Sequence, residues 1–125
     1  MHVLLVEDDD GNRLLVRQAL EQRFGAVVTS ARNGVEGLRA LQRSVPDLIF
    51  LDLWMPVLNG SDFLERVRAE NEWKDIPVIV MSAMQDKQAV ERLVRLKISG
   101  YLVKPVTVEQ LTERIAKVFT APAVQ

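Results

Sequence analysis

The chain has 125 residues, 48% hydrophobic and 26% charged, which suits one domain around one core and excludes a disordered chain. Sixteen Lys+Arg against seventeen Asp+Glu give a formal net charge of −1, without the basic surplus of a domain whose main partner is nucleic acid. With no cysteine and one histidine, His2, a disulfide scaffold, thiolate zinc sites and thiol catalysis are excluded, and a His-based triad or multi-His metal site has too few ligands. Met1 and His2 lead directly into Val3-Leu4-Leu5-Val6, without a basic n-region or a long apolar h-region, so no signal peptide is expected. No apolar run approaches a bilayer span, and the expectation is a soluble, cytoplasmic domain with neither membrane nor nucleic acid as direct partner. Val3–Val6 is the first short apolar run, followed by Val16, Leu20 and Phe24 at helical spacing and by Gly25 at a predicted C-cap. Ala26–Thr29 is the second run. Asn33-x-x-Glu36 then opens a helix carrying Val35, Leu38 and Leu41. Leu48–Leu51 is followed by Phe63, Leu64 and Val67, and Pro77–Met81 by Ala89, Val90, Leu93 and Val94, with Gly100 at another predicted C-cap. After Tyr101–Val103, Thr107-x-x-Gln110 opens a last helix carrying Val108, Leu111, Ile115, Val118 and Phe119.

Five strand–helix pairs in alternation predict an α/β fold with a parallel sheet, right-handed crossovers and helices on both faces. Five units are too few to close a barrel, so the sheet is expected to be open and doubly wound. Residues 1–120 are read as one domain, and residues 121–125 as a C-terminal tail or linker stub.

Ligands of open α/β sheets gather beyond the carboxyl ends of the strands. Glu7-Asp8-Asp9-Asp10 follows the first strand, Asp52 ends the third, Ser82-Ala83 follows the fourth and Lys104-Pro105 the fifth. Acids, a hydroxyl and a lysine therefore share one rim. Carboxylates this close repel one another unless a cation intervenes, and magnesium takes carboxylate oxygens together with phosphate oxygen and water. A lysine supplies a point charge for a phosphoryl group, and a carboxylate can form an aspartyl phosphate. Asp52, the one acid at the end of the buried third strand, is the candidate nucleophile.

Leu4-Leu5-Val6-Glu7-Asp8, Asp52-Leu-Trp-Met-Pro56 with Gly60, Ser82-Ala83 and Tyr101-Leu-Val-Lys104-Pro105 stand in order, each behind its own strand. Together they make the chain resemble, over essentially its whole length, the receiver domain of two-component response regulators. The resemblance implies a flavodoxin-like strand order 2-1-3-4-5. It implies that Asp52 accepts a phosphoryl group from a sensor histidine kinase or histidine phosphotransfer protein. Mg²⁺ would be the cofactor, bound by Asp8 and Asp52, by Glu7 mostly through water, and by the Trp54 main-chain carbonyl. Lys104, with a cis bond to Pro105, would neutralise phosphoryl charge. Ser82 would hydrogen-bond the phosphoryl group, and Tyr101 would rotate inward behind it. The face built from the fourth helix, fifth strand and fifth helix would then shift to control a target protein or output domain, or form a dimer. On this reading the domain assists its own phosphorylation and dephosphorylation and is a signalling switch rather than an enzyme.

Simpler roles are assigned elsewhere. Asp9 and Asp10 are expected to favour the first helix dipole, Trp73 to pack a loop, and His2 to be structural or exposed. Arg92, Arg95 and Lys97 are expected on solvated faces, with docking of a partner as the other option. Trp54 and Met84, each two residues past a key position, are expected to flank the water route to the phosphoryl group and to slow its hydrolysis. The pair Trp54→Asn with Met84→Glu should then shorten the phosphate lifetime. Among rival functions, a haloacid-dehalogenase-type phosphohydrolase wants Asp-x-Asp, which Asp52-Leu-Trp breaks, and the P-loop pattern is absent. A receiver-like docking module that is never phosphorylated is the remaining alternative.

Overall fold

Strong apolar runs with helical segments between them fold as the alternation predicts. The structure, a computed structural model, describes residues 1–53, 55, 57–83 and 87–120, the side chains of 87–89 and 120 excepted. The order is β1 (His2–Val6), α1 (Asp10–Phe24), β2 (Val27–Ala31), α2 (Gly34–Arg43) and β3 (Leu48–Asp52). It continues with α3 (Gly60–Ala69), β4 (Val78–Ser82), α4 (Lys87–Arg95), β5 (Gly100–Val103) and α5 (Val108–Thr120). All strand pairs are parallel, in the order β2-β1-β3-β4-β5.

Every residue of β3 and β4 is buried, because helices cover both faces of the sheet. Successive side chains point to opposite faces, and the core divides accordingly. Val3, Leu5, Phe50, Ile79 and Met81 pack with Val16 and Leu20 of α1 and Leu111 and Ile115 of α5. Leu4, Val6, Ile49, Leu51 and Val80 pack with Leu41 of α2, Phe63, Leu64 and Val67 of α3 and Leu93 of α4. Val94 (63% exposed) and Phe119 (46% exposed) leave the core stripe that their spacing had predicted.

Helix ends follow their capping residues. Gly25 closes α1 in the left-handed region at φ 60°. Asn33 accepts from the Glu36 N–H, while the Glu36 carboxylate reaches one residue further back, to the Arg32 N–H. Thr107 and Gln110 form the reciprocal box. Every strand differs from its predicted run by a residue or two at one end or both, and two of these differences have a cause outside the run itself. β2 starts one residue later and runs to Ala31, because it pairs with all of β1 from His2↔Val27 to Val6↔Ala31, so register rather than hydrophobicity sets its end. Gly100 is not a C-cap. Helix α4 ends at Arg95, Lys97 takes the left-handed turn at φ 61°, and Gly100 opens β5, where a Cβ would collide with the Arg114 side chain.

Candidate functional site

The carboxyl ends of β1, β3, β4 and β5 meet at one rim, and each delivers one of the predicted groups. Strand β1 ends at Val6. Glu7 follows, fully buried, its N–H donating to the Ala31 carbonyl at 3.0 Å. Asp8 is exposed, and Asp9 turns away to cap α1, accepting from the N–H groups of Gly11 (2.9 Å) and Asn12 (3.3 Å). Asp10, in the first turn, pairs with Arg13. The four acids thus divide into a site pair, Glu7 and Asp8, and a helix-opening pair, Asp9 and Asp10.

Asp52 is the last residue of β3 and 4% exposed. Its backbone is held tightly, since a Cβ on Gly60 would lie 2.6 Å from the Asp52 carbonyl oxygen, and only glycine lets α3 begin that close. Ser82 ends β4 and is fully buried, and its carbonyl accepts from the Lys104 N–H at 2.9 Å. The Lys104–Pro105 bond is cis. Lys104 Nζ stands 2.7 Å from Glu7 Oε1 and 3.4 Å from Asp52 Oδ2, closing the site from the β5 side. Tyr101 is half-buried against the core of the α2–α4 side.

One carboxylate oxygen from each of Glu7, Asp8 and Asp52 lies within 4.8 Å of the others. The electrostatics express that crowding. Burial, reinforced by the facing Glu7 and Asp8 carboxyls, pushes Asp52 from the usual carboxylate range up to about 8 against the pull of Lys104. Burial also pushes Glu7 up, but hydrogen bonds from Asp52, Lys104 and Asn12 outweigh it and bring Glu7 down to about 2. Glu7 and Asp52 therefore titrate as a coupled pair, with burial and their facing carboxyls favouring retention of a proton between them. Lys104 is lowered by burial and raised by both acids, with a net rise that keeps it charged. Three hard oxygen donors, two of them buried and crowded enough to favour retention of a proton, fit a small divalent cation, which would replace it.

Two neighbours of the cluster escaped the sequence reading. Asn12 Nδ2 donates to Glu7 Oε1, and Arg13 Nη1 donates to the Glu7 main-chain carbonyl at 2.9 Å. The available signal was the cap itself, because with Asp9 at the N-cap, Asn12 occupies the third helical position, which reaches back toward the chain entering the helix. His2 is structural, with its N–H donating to Asp47 Oδ2 (2.8 Å) and its Nε2 lying 2.9 Å from Thr29 Oγ1. Arg92 pairs with Asp62 (3.0 Å) and Glu65 of α3, while Arg95 and Lys97 are exposed. Trp54, with its carbonyl, and Met84 lie outside the described residues, as do residues 121–125. No helix among the described residues is long and apolar enough to cross a membrane.

Comparison with known proteins agrees with this geometry. A family model described as "Response regulator receiver domain" matches residues 3–116. A probable chemotaxis protein CheY of Rhizobium etli is 34% identical, over 95% of this chain and 92% of that protein. The sensor histidine kinase TmoS of Ectopseudomonas mendocina is 32% identical over 94% of this chain, which spans only 12% of that kinase. Among solved structures, the receiver domain of a sensor histidine kinase from Pseudomonas aeruginosa superposes with a TM-score of 0.83 at 28% identity, covering 96% of this chain and 97% of that one; its structure has a magnesium ion coordinated in the active-site cleft.

Proposed function

Because the chain belongs to the response-regulator receiver family of two-component signalling, we propose that it is a phosphorylation switch in which Asp52 is the phosphoacceptor. The observation that carries this reading is the cluster itself, three carboxylates within 4.8 Å with Lys104 reaching two of them. Glu7, Asp8 and Asp52, with the Trp54 carbonyl, would hold Mg²⁺, which when bound supplies positive charge to the phosphoryl oxygens.

The donor is a phosphohistidine of a sensor kinase or a histidine phosphotransfer protein. An Asp52 carboxylate oxygen attacks phosphorus as the N–P bond to the donor imidazole breaks, leaving an aspartyl phosphate on the chain and the histidine restored. Catalysis is positioning and electrostatics, and Lys104, 3.4 Å from Asp52 Oδ2, is the cation placed to serve it. Its ammonium leaves Glu7 Oε1 for the new dianionic group beside Asp52. The Ser82 hydroxyl donates to a phosphoryl oxygen, and Tyr101 turns inward behind it. Helix α4, strand β5 and helix α5 form the face that then changes, where a target protein, an output domain or a second copy docks.

Incubation with a small phosphodonor and Mg²⁺, followed by intact-mass measurement, tests the reading. One phosphoryl group should appear on the wild type, and none on Asp52→Ala. A wild type that stays unmodified, or an Asp52→Ala chain that is modified equally, would overturn it and leave a docking module as the function.

A further inference from the structure

Glu7 is fully buried, and its carboxylate serves two masters. Oε1 accepts from both Asn12 Nδ2 and Lys104 Nζ, Oε2 takes the longer contact from the Asp9 N–H at 3.3 Å, and the carboxyl also hydrogen-bonds with Asp52. Lys104 is nearer to Glu7 (2.7 Å) than to Asp52 (3.4 Å). When Lys104 moves toward a phosphoryl group, Glu7 would lose its ammonium donor, a costly loss for a buried carboxylate unless another side-chain donor remains. Asn12 is that donor. It is neutral, so it supports the charge without competing for the phosphoryl group, and the first turn of α1, capped by Asp9, fixes its position. The Arg13 guanidinium holds the Glu7 main chain from the same turn.

We propose that Asn12 is a positioning residue of the acid cluster, its side-chain amide fixing Glu7 in the orientation a divalent cation requires and keeping Glu7 satisfied when Lys104 departs. The first half of this role rests on the cation-binding reading above, and the second on Asp52 as phosphoacceptor. Two measurements separate them: the Mg²⁺ dissociation constant by calorimetry without phosphodonor, and the phosphorylation rate at saturating Mg²⁺. Asn12→Leu keeps the shape, removes the donor and improves helix propensity, so the fold should survive and the melting temperature should change little. It should weaken Mg²⁺ binding about tenfold, as loss of a group that orients a ligand does. The phosphorylation rate should fall about threefold to tenfold, the scale of one typical net hydrogen bond. In a Glu7→Ala background, where Asn12 has nothing to hold, the same substitution should change neither quantity. An equal loss in both backgrounds would show a role confined to α1 and overturn the proposal, as would wild-type behaviour of Asn12→Leu in the presence of Glu7. A wild type that binds no Mg²⁺ would overturn this proposal and the functional reading together, whereas a wild type that binds and is phosphorylated leaves the variant to decide this one alone.

Discussion

Val57 shows how a single residue can stand against local preference. It sits in the loop between β3 and α3 at φ 73°, and among the described residues only Lys97 shares a positive φ without being glycine. The left-handed region costs an L-residue about 1–2 kcal/mol, and a branched Cβ fits there worst. The Val57 side chain is 80% exposed, so little packing offsets that cost. Val57→Gly should therefore stabilise the protein by about 1 kcal/mol, after allowance for the greater freedom of glycine in the unfolded chain. A urea midpoint that rises at unchanged slope would show it, and a fall would mean that Val57 makes contacts worth more than its strain. Nothing in the sequence marked this position, because a valine between prolyl and leucyl neighbours carries no signal of its dihedral angle. Other single residues were legible. Asp9 and Asp10 fell to the helix because a run of acids beyond a strand that ends at Val6 has room for only two at the rim.

Among the elements, helices α3 and α4 are joined by two arginines of very different worth. Arg68, near the end of α3, donates to the main-chain carbonyls of Leu96 (2.8 Å), Ile76 (2.9 Å) and Lys97 (3.1 Å), so one guanidinium satisfies the turn after α4 and the approach to β4. Arg92 of α4 pairs with Asp62 and Glu65, both exposed. Arg68→Met keeps the aliphatic stem but abandons three carbonyls, and should cost about 2 kcal/mol. Arg92→Ala should cost less than about 1 kcal/mol, because exposed ion pairs are screened and entropically opposed. Urea unfolding of both variants checks the ranking, and faster amide exchange at Leu96 and Lys97 in Arg68→Met alone would localise the effect. The five strand–helix units were readable from period and apolar runs, most plainly at β1, β3 and β4, which are buried almost throughout. The Arg68 contacts were not, because carbonyl acceptors are invisible in side-chain chemistry and Arg68 looks like any arginine on a solvated face. For the same reason the end of β2 and the true role of Gly100 waited on register and on Arg114: both are set by what the neighbouring element brings.

Over the whole molecule, the acid cluster ties stability to pH and to divalent cations. Sequence alone placed Glu7, Asp8 and Asp52 at one rim, but not the coupled titration of Glu7 and Asp52, which depends on complete burial of Glu7 and near-complete burial of Asp52. Asp52 is raised to about 8, chiefly by burial and then by Glu7, so the folded state binds its proton more tightly than the unfolded chain does. Its contribution is therefore fully present below about pH 4, near the ordinary carboxylate range, and is lost as pH rises through 8. Glu7 runs the other way: brought down to about 2 by its hydrogen bonds despite burial, it contributes above its unfolded value near 4.5 and loses that contribution as pH falls toward 2. Between pH 5 and 8 only the Asp52 slope remains within this pair, so the melting temperature of the metal-free protein should fall as pH rises across that window. Asp52→Asn should flatten the slope and raise stability at pH 8, by about 1 kcal/mol or on the order of 4 °C. Millimolar Mg²⁺ should raise the wild-type melting temperature by binding only the folded state, and more at pH 8 than at pH 5, because the cation competes with the shared proton. In Asp52→Asn both the slope and the Mg²⁺ gain should shrink together, since they arise from the same carboxylate. A melting temperature that rises with pH between 5 and 8, or a Mg²⁺ gain independent of pH, would mean that the acids do not share a proton, and that the cation, where it binds, binds elsewhere.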